Sequence, residues 1–285
     1  IEEETYGLSP EDVEMRITPK TKAILPIHYG GSPCLVQQLR EIAERRDLIL
    51  IEDVAESLGA KVEGKKVGTF GEAAVLSFCQ NKVVSTGEGG AVATNSKEVS
   101  EKLRLIGSHG RLETTDYFST IEPADYVTLG YNFRMSSLAA ALGITQLKKL
   151  DKLINMRRNI ARYVNQELSE LDGILVPHVQ DSLYHTYQMY SIQIREGKKL
   201  KVKLMEYLSR KGVMTKVYFE PVHLTPFYRK RLGHQEGDLP ITERISSEIL
   251  TLPMYPTMTK READYVIGHI RKFLSKSSMS YGRNT

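Results

Sequence analysis

Apolar residues in the first half of the chain fall into short continuous runs separated by amphipathic stretches. Ala23 to Ile27 ("AILPI") reads as a short buried strand closed by a glycine pair, and Ser32 and Pro33 offer a helix start. Leu35, Leu39, Ile42 and Ala43 then recur at helical spacing. The run Leu48 to Ile51 in "LILIED" suits a strand covered on both faces of a parallel sheet, so strand, helix and strand make a βαβ unit. Ala73 to Phe78 and "GGAVATN" predict two more strands. Val99, Leu103 and Ile106 form one stripe of a helix that ends near Gly107 or Gly110. The stretch from Ser136 to Leu168 is rich in helix formers, with Gly143 as a candidate bend, and bridges into a second domain.

From Gly173 the pattern changes. "HTYQMYSIQI" alternates as a half-exposed strand does. "LKVKLMEYLSRKG" predicts a helix ending at Gly212, "VMTKVYF" a strand, and "TKREADYVIGHIRKFL" a last amphipathic helix. Together these predict an α/β protein: a mainly parallel-sheet large domain over 1–150, a smaller α+β domain over 151–275, and a disordered tail over 276–285.

Composition narrows the function classes. The 285 residues include 39 Lys plus Arg against 35 Asp plus Glu, a net charge of +4 that gives no argument for nucleic acid or for a membrane surface. No apolar run is long enough to span a bilayer, and "IEEETYGLSP" lacks the order of a signal peptide. Two cysteines, Cys34 and Cys79, make neither a disulfide framework nor a zinc spacing, so a reduced, cytoplasmic compartment is expected. His28, His109, His185 and His223 show no metal-ligand spacing, and no metal is expected.

The candidate chemistry sits between Glu52 and Ala91. "LILIED" delivers two carboxylates at the C-terminal end of a strand, where open α/β sheets bind ligands. Successive strand residues face opposite ways, and periodicity does not choose between Glu52 and Asp53 or exclude a helix cap or a structural ion pair. Lys82 lies in a polar break between two apolar runs; alone it reads first as a solvated loop charge, as most loop lysines are. "TGEGGA" permits a tight turn but is neither a Walker motif nor GxGxxG. The order carries more than the parts. A strand-end acid, a strand carrying Ser77, Lys82 five residues later and then a glycine turn match what pyridoxal phosphate needs: an acid for the ring nitrogen, a hydroxyl for phosphate and an amine for the aldehyde carbon.

The stretch from "IEDVAESLGA" to "GEGGAVATN" resembles the core of the DegT/DnrJ/EryC1/StrS family of sugar aminotransferases, which have the aspartate aminotransferase fold (fold type I). Asp53, Glu56, Ser77, Phe78, Lys82 and Gly87 to Gly90 stand in the family's register, and "LGYNFRMSSLAAALG", "YFEPVHLTPFY" and "LPMYPTMT" resemble its later landmarks. The resemblance implies a pyridoxal phosphate-dependent aminotransferase acting on a nucleotide-linked keto sugar, with glutamate as amino donor. Lys82 would carry the Schiff base. Asp53, Glu56 and Ser77 would hold the cofactor, and Asn132 would reach the cofactor phosphate of the neighbouring subunit of a homodimer. Arg134 would lie near substrate; Tyr218 and His223 would line the substrate entrance or pack between domains.

Two departures matter. Family members begin upstream of Ile1, with the first sheet elements, a phosphate-binding glycine-threonine turn and a ring that stacks on the cofactor, so an N-terminally truncated chain is expected. Gln188 stands where many members carry His. Lys82 speaks against a related dehydratase, in which His replaces the lysine. A non-catalytic relative that binds cofactor or sugar nucleotide as a regulator stays open.

Overall fold

The structure, a computed structural model, describes residues 1–112 and 125–281. In chain order the elements are α1 (Pro10–Arg16), β1 (Ala23–Ile24), α2 (Val36–Arg45), β2 (Ile49–Asp53), β3 (Lys61–Val62), β4 (Lys65–Lys66), β5 (Ala73–Ser77), β6 (Gly90–Thr94), α3 (Lys97–Gly107), α4 (Ser137–Leu147), α5 (Leu150–Leu168), β7 (Ile174–Leu175), β8 (Leu183–Tyr184), β9 (Tyr190–Ile194), α6 (Lys198–Ser209), α7 (Pro226–Leu232), α8 (Pro240–Glu248), β10 (Ile249–Leu252) and α9 (Lys260–Tyr281).

The first sheet has the order β1-β2-β5-β6. β1, β2 and β5 run parallel, and β6 returns antiparallel along β5. Helix α2 buries Val36, Leu39, Ile42 and Ala43 against this sheet, joining Ile24, Leu50 and Ala74 in one core. Only one face is covered. Leu50 and Glu52 point toward the core, while Ile49 is 51% exposed, Val75 43% and Val92 40%. The expectation of a strand buried on both faces is thus met on one.

The second sheet, β10-β9-β7, is antiparallel and carries the larger core. Tyr190, Ile192 and Ile194 of β9 pack with Ala161, Val164 and Leu168 of α5, Leu204 and Leu208 of α6, and Ile267 and Ile270 of α9. Each fully buried aliphatic side chain of this kind stabilises by about 1.5–3 kcal/mol. The alternation in β9 is real, but its polar face is buried rather than exposed: Ser191 Oγ and Thr251 Oγ1 bond each other at 2.7 Å, and Gln193 Nε2 donates to Tyr6 Oη at 2.9 Å. A third small sheet, β4-β3-β8, pairs Lys61 with Tyr184 and so ties the two halves together.

Several boundaries differ from expectation: β1 ends at Ile24 rather than Ile27, and α2 starts at Val36, with Leu35 as its N-cap, rather than at Ser32 and Pro33. The long helical stretch breaks at Lys148–Lys149, between α4 and α5, rather than at Gly143. "VMTKVYF" is not a strand; Lys216 alone bridges to Thr251, because that edge of β10 meets the chain only briefly. α9 continues to Tyr281, into the stretch expected to be a tail, whose last residues, 282–285, lie outside those described.

Candidate active site

β2 delivers both carboxylates, and their surroundings separate them. Glu52 is fully buried. It accepts from His28 Nε2 at 3.1 Å and from the backbone N–H groups of Gly68, Phe70 and Gly71 at 2.7, 2.7 and 2.9 Å. His28 Nδ1 accepts from the Cys34 N–H at 3.1 Å, which leaves Nε2 as its donor. Burial alone would raise the Glu52 pKa, but the His28, Gly68 and Gly71 donors outweigh it and hold the carboxyl below its usual range. Its oxygens are occupied, so Glu52 is a structural anchor. Asp53 faces the other way, onto the open face, where it pairs in register with Val75. One oxygen caps the Ala55 N–H at 2.9 Å. Ser77 lies two residues beyond Val75 on β5 and therefore on the same face as Asp53. Its hydroxyl accepts from the Cys79 N–H at 3.3 Å.

The loop after β5 carries Lys82. The Phe78 N–H bonds Gly89 O at 2.9 Å and the Thr86 N–H bonds Phe78 O at 2.9 Å, folding the loop back onto the glycine turn. Gly89 has φ +152°, and a Cβ there would lie 2.7 Å from Thr86 Oγ1 and 2.8 Å from Met135 Cε, so a side chain is excluded. Lys82 Nζ stands 3.4 Å from Glu56 Oε1, with both side chains largely buried. The other Glu56 oxygen accepts the Gly30 N–H at 3.0 Å. Gln188, also buried, donates from Nε2 to the Asn81 carbonyl at 2.6 Å.

Tyr218 and His223 line an apolar cavity of about 530 Å³ together with Tyr6, Tyr29 and Phe219. Tyr29 lines this cavity and lies near Glu56. Its hydroxyl donates to the Tyr218 carbonyl, and burial first, then the nearby Glu56 carboxylate, raises its pKa. His223 Nε2 lies 2.9 Å from Glu243 Oε1 and, with the Gly237 N–H, holds that carboxyl below its usual range. Asn132 and Arg134 stand apart. Arg134 Nε donates to Asn132 Oδ1 at 3.2 Å, both side chains are exposed, and among the described residues neither bonds to the Lys82 group.

Asp53 and Ser77 thus share one face at the carboxyl ends of β2 and β5, and Lys82 meets Glu56 in the segments that follow those two strands. Tyr29, Gly30 and Gln188 join them without having been singled out for these contacts; the glycine pair after the first strand was the available signal for the first two. A sheltered amine beside a strand-end carboxylate and a hydroxyl is a donor set that fits pyridoxal phosphate.

Comparison with known proteins agrees. Residues 1–271 match the DegT/DnrJ/EryC1/StrS aminotransferase family. The chain is similar to the GDP-perosamine synthase of Escherichia coli O157:H7, 35% identical over 272 residues that cover 95% of this chain and 71% of that protein. It is similar to the pleiotropic regulatory protein of Geobacillus stearothermophilus, 36% identical over 273 residues that cover 94% and 70%. Among solved structures, the Helicobacter pylori aminotransferase PseC, involved in the biosynthesis of pseudoaminic acid, superposes with a TM-score of 0.89 at 26% identity, over 96% of this chain and 72% of that one. The α/β architecture is accordingly that of the fold type I aminotransferases. With sequence and fold in agreement along almost its whole length, this chain belongs to the DegT/DnrJ/EryC1/StrS aminotransferase family.

Proposed function

We propose that the protein moves an amino group from glutamate to the ketone of a nucleotide-linked sugar, using pyridoxal phosphate held at Lys82. The observation that carries this reading is the Lys82 amine, sheltered 3.4 Å from Glu56 beside the open face that Asp53 and Ser77 share. When bound, the cofactor would accept the amino group from the donor and withdraw electrons from the reacting carbon.

The chain's own groups would do the rest. Lys82 Nζ would hold the aldehyde carbon at rest and, once displaced, take the α-proton of the donor. The Asp53 carboxylate would keep the ring nitrogen protonated, and the Ser77 hydroxyl would bind phosphate. Glu56 holds the free amine in place, and would have to release it when the cofactor takes that amine. The exposure of Asn132 and Arg134 is consistent with their acting across a homodimer interface, Asn132 on phosphate and Arg134 on substrate. Tyr218 and His223 would line the entrance that the apolar cavity forms.

The test is turnover. Protein loaded with pyridoxal phosphate is given glutamate and a panel of nucleotide-linked keto sugars, and 2-oxoglutarate and amino sugar are measured. Equal amounts of both, absent in Lys82→Ala, are expected. The similarity to a pleiotropic regulatory protein favours a second reading, a family member that binds without turnover. Cofactor bound at Lys82 with no product from any donor or sugar would select it.

A further inference from the structure

Lys82 is held in a closed circuit of hydrogen bonds, and Gln188 is the side chain that closes it. Starting at Gln188, Nε2 donates to Asn81 O at 2.6 Å, and the chain passes to Lys82. Lys82 Nζ meets Glu56 Oε1 at 3.4 Å, and Glu56 Oε2 accepts the Gly30 N–H at 3.0 Å. Gly30 O accepts the Met189 N–H at 2.9 Å, which returns the path to Gln188. The backbone and the ε-amine of Lys82 are therefore both referred to one short segment, 188–189.

That segment is itself fixed. The Thr186 N–H bonds Gly31 O at 2.9 Å, and Gly31, at φ +105°, leaves no room for a Cβ, which would lie 2.7 Å from the Gln188 nitrogen. From the other side, Arg157 Nη1 donates to the carbonyls of Tyr187, Gln188 and Met254 at 3.1, 3.3 and 2.9 Å. Burial lowers the Arg157 pKa to about 10, which still leaves it charged at neutral pH. Within the loop, the Lys82 N–H bonds Cys79 O at 3.1 Å, a contact that does not tie the loop to anything outside it. A buried, neutral amide donor on a carbonyl one residue from the reacting amine is well placed to fix that amine's approach.

We propose that Gln188 is a positioning residue for Lys82: through the Asn81 carbonyl it sets where the ε-amine stands relative to Glu56. The proposal rests on the reading that Lys82 carries the cofactor. Two variants test it, since both keep a polar side chain of similar reach. Gln188→His retains a ring N–H donor, whereas Gln188→Glu, when ionised, offers only acceptors to the Asn81 carbonyl. The full chain is mixed with pyridoxal phosphate, reduced with borohydride at timed intervals across a pH series, and mapped by peptide mass; melting temperatures are recorded in parallel. Gln188→Glu should slow labelling of Lys82 by about tenfold and shift its pH profile, the effect of losing one hydrogen bond of ordinary strength. Gln188→His should stay within about threefold of the unaltered protein. Equal rates and pH profiles per folded molecule in all three proteins would overturn the proposal, even if Gln188→Glu melts earlier, because that pattern marks a structural role alone. Absence of Lys82 labelling in the unaltered protein would instead overturn the reading beneath it.

Discussion

The β10-β9-β7 sheet and the β1-β2-β5-β6 sheet are built from similarly apolar strands, yet the first is buried at nearly every position, while the second is buried on one face of β2 and β5 and open along β6. In the first, α5, α6 and α9 cover the Tyr190, Ile192 and Ile194 side, and the polar side is sealed by Ser191 with Thr251 and Gln193 with Tyr6. In the second, α2 covers Leu50 and Ala74 but leaves Ile49, Val75 and Val92 partly open. The candidate catalytic groups stand on the open sheet, while the closed half supplies what holds them. Gln188 reaches from the closed half to the Lys82 loop, and Arg157 holds the Gln188 carbonyl from within that half. Chemistry and packing are thus divided between two halves that meet along segment 185–189 and Gly30–Gly31.

Substitutions can break this contrast, beginning with the closed core. Ile192→Ala should cost about 2–5 kcal/mol, because its site is fully buried and cannot collapse easily; denaturant unfolding measures it. Glu52→Gln should cost about 2–4 kcal/mol at pH 7, since an amide NH₂ would face a backbone donor where the carboxylate now accepts. Its pH dependence has a definite sign. The folded pKa of Glu52 is depressed, so its contribution is complete above the unfolded value near ~4.3 and is lost as pH falls through the lower folded value. The gap between Glu52→Gln and the unaltered protein should therefore narrow below about pH 4. On the open face, Val92→Ala should cost less than about 1 kcal/mol, and a cost equal to that of Ile192→Ala would erase the contrast. Asp53→Asn should change stability least, by within about 0.5 kcal/mol, yet weaken cofactor-dependent turnover at least ~100-fold. Neighbours on one strand would then differ in kind: one for the fold, one for the reaction.

Much of this was legible in the sequence, for identifiable reasons. The order Asp53, Ser77, Lys82 and glycine turn is local, and strand ends and turns announce themselves in short windows. The choice between Glu52 and Asp53 was not, because it depends on His28 and on the turn at Gly68 to Gly71, which folding brings to the Glu52 side. The alternation in β9 correctly gave two faces, but pattern alone could not show that Tyr6 and Thr251 bury the polar one. β10 escaped notice because four residues following directly on a helix carry too little periodicity. Gln188 reaches Asn81 across 107 positions, a separation at which no local pattern speaks.

The measurement that bears most directly on the role of Lys82 is borohydride reduction of the protein with pyridoxal phosphate, followed by peptide mass mapping. Label on Lys82 and on no other lysine is the predicted result, as expected for a largely buried amine held beside Glu56. Label scattered over surface lysines, with Lys82 unmodified, would contradict it.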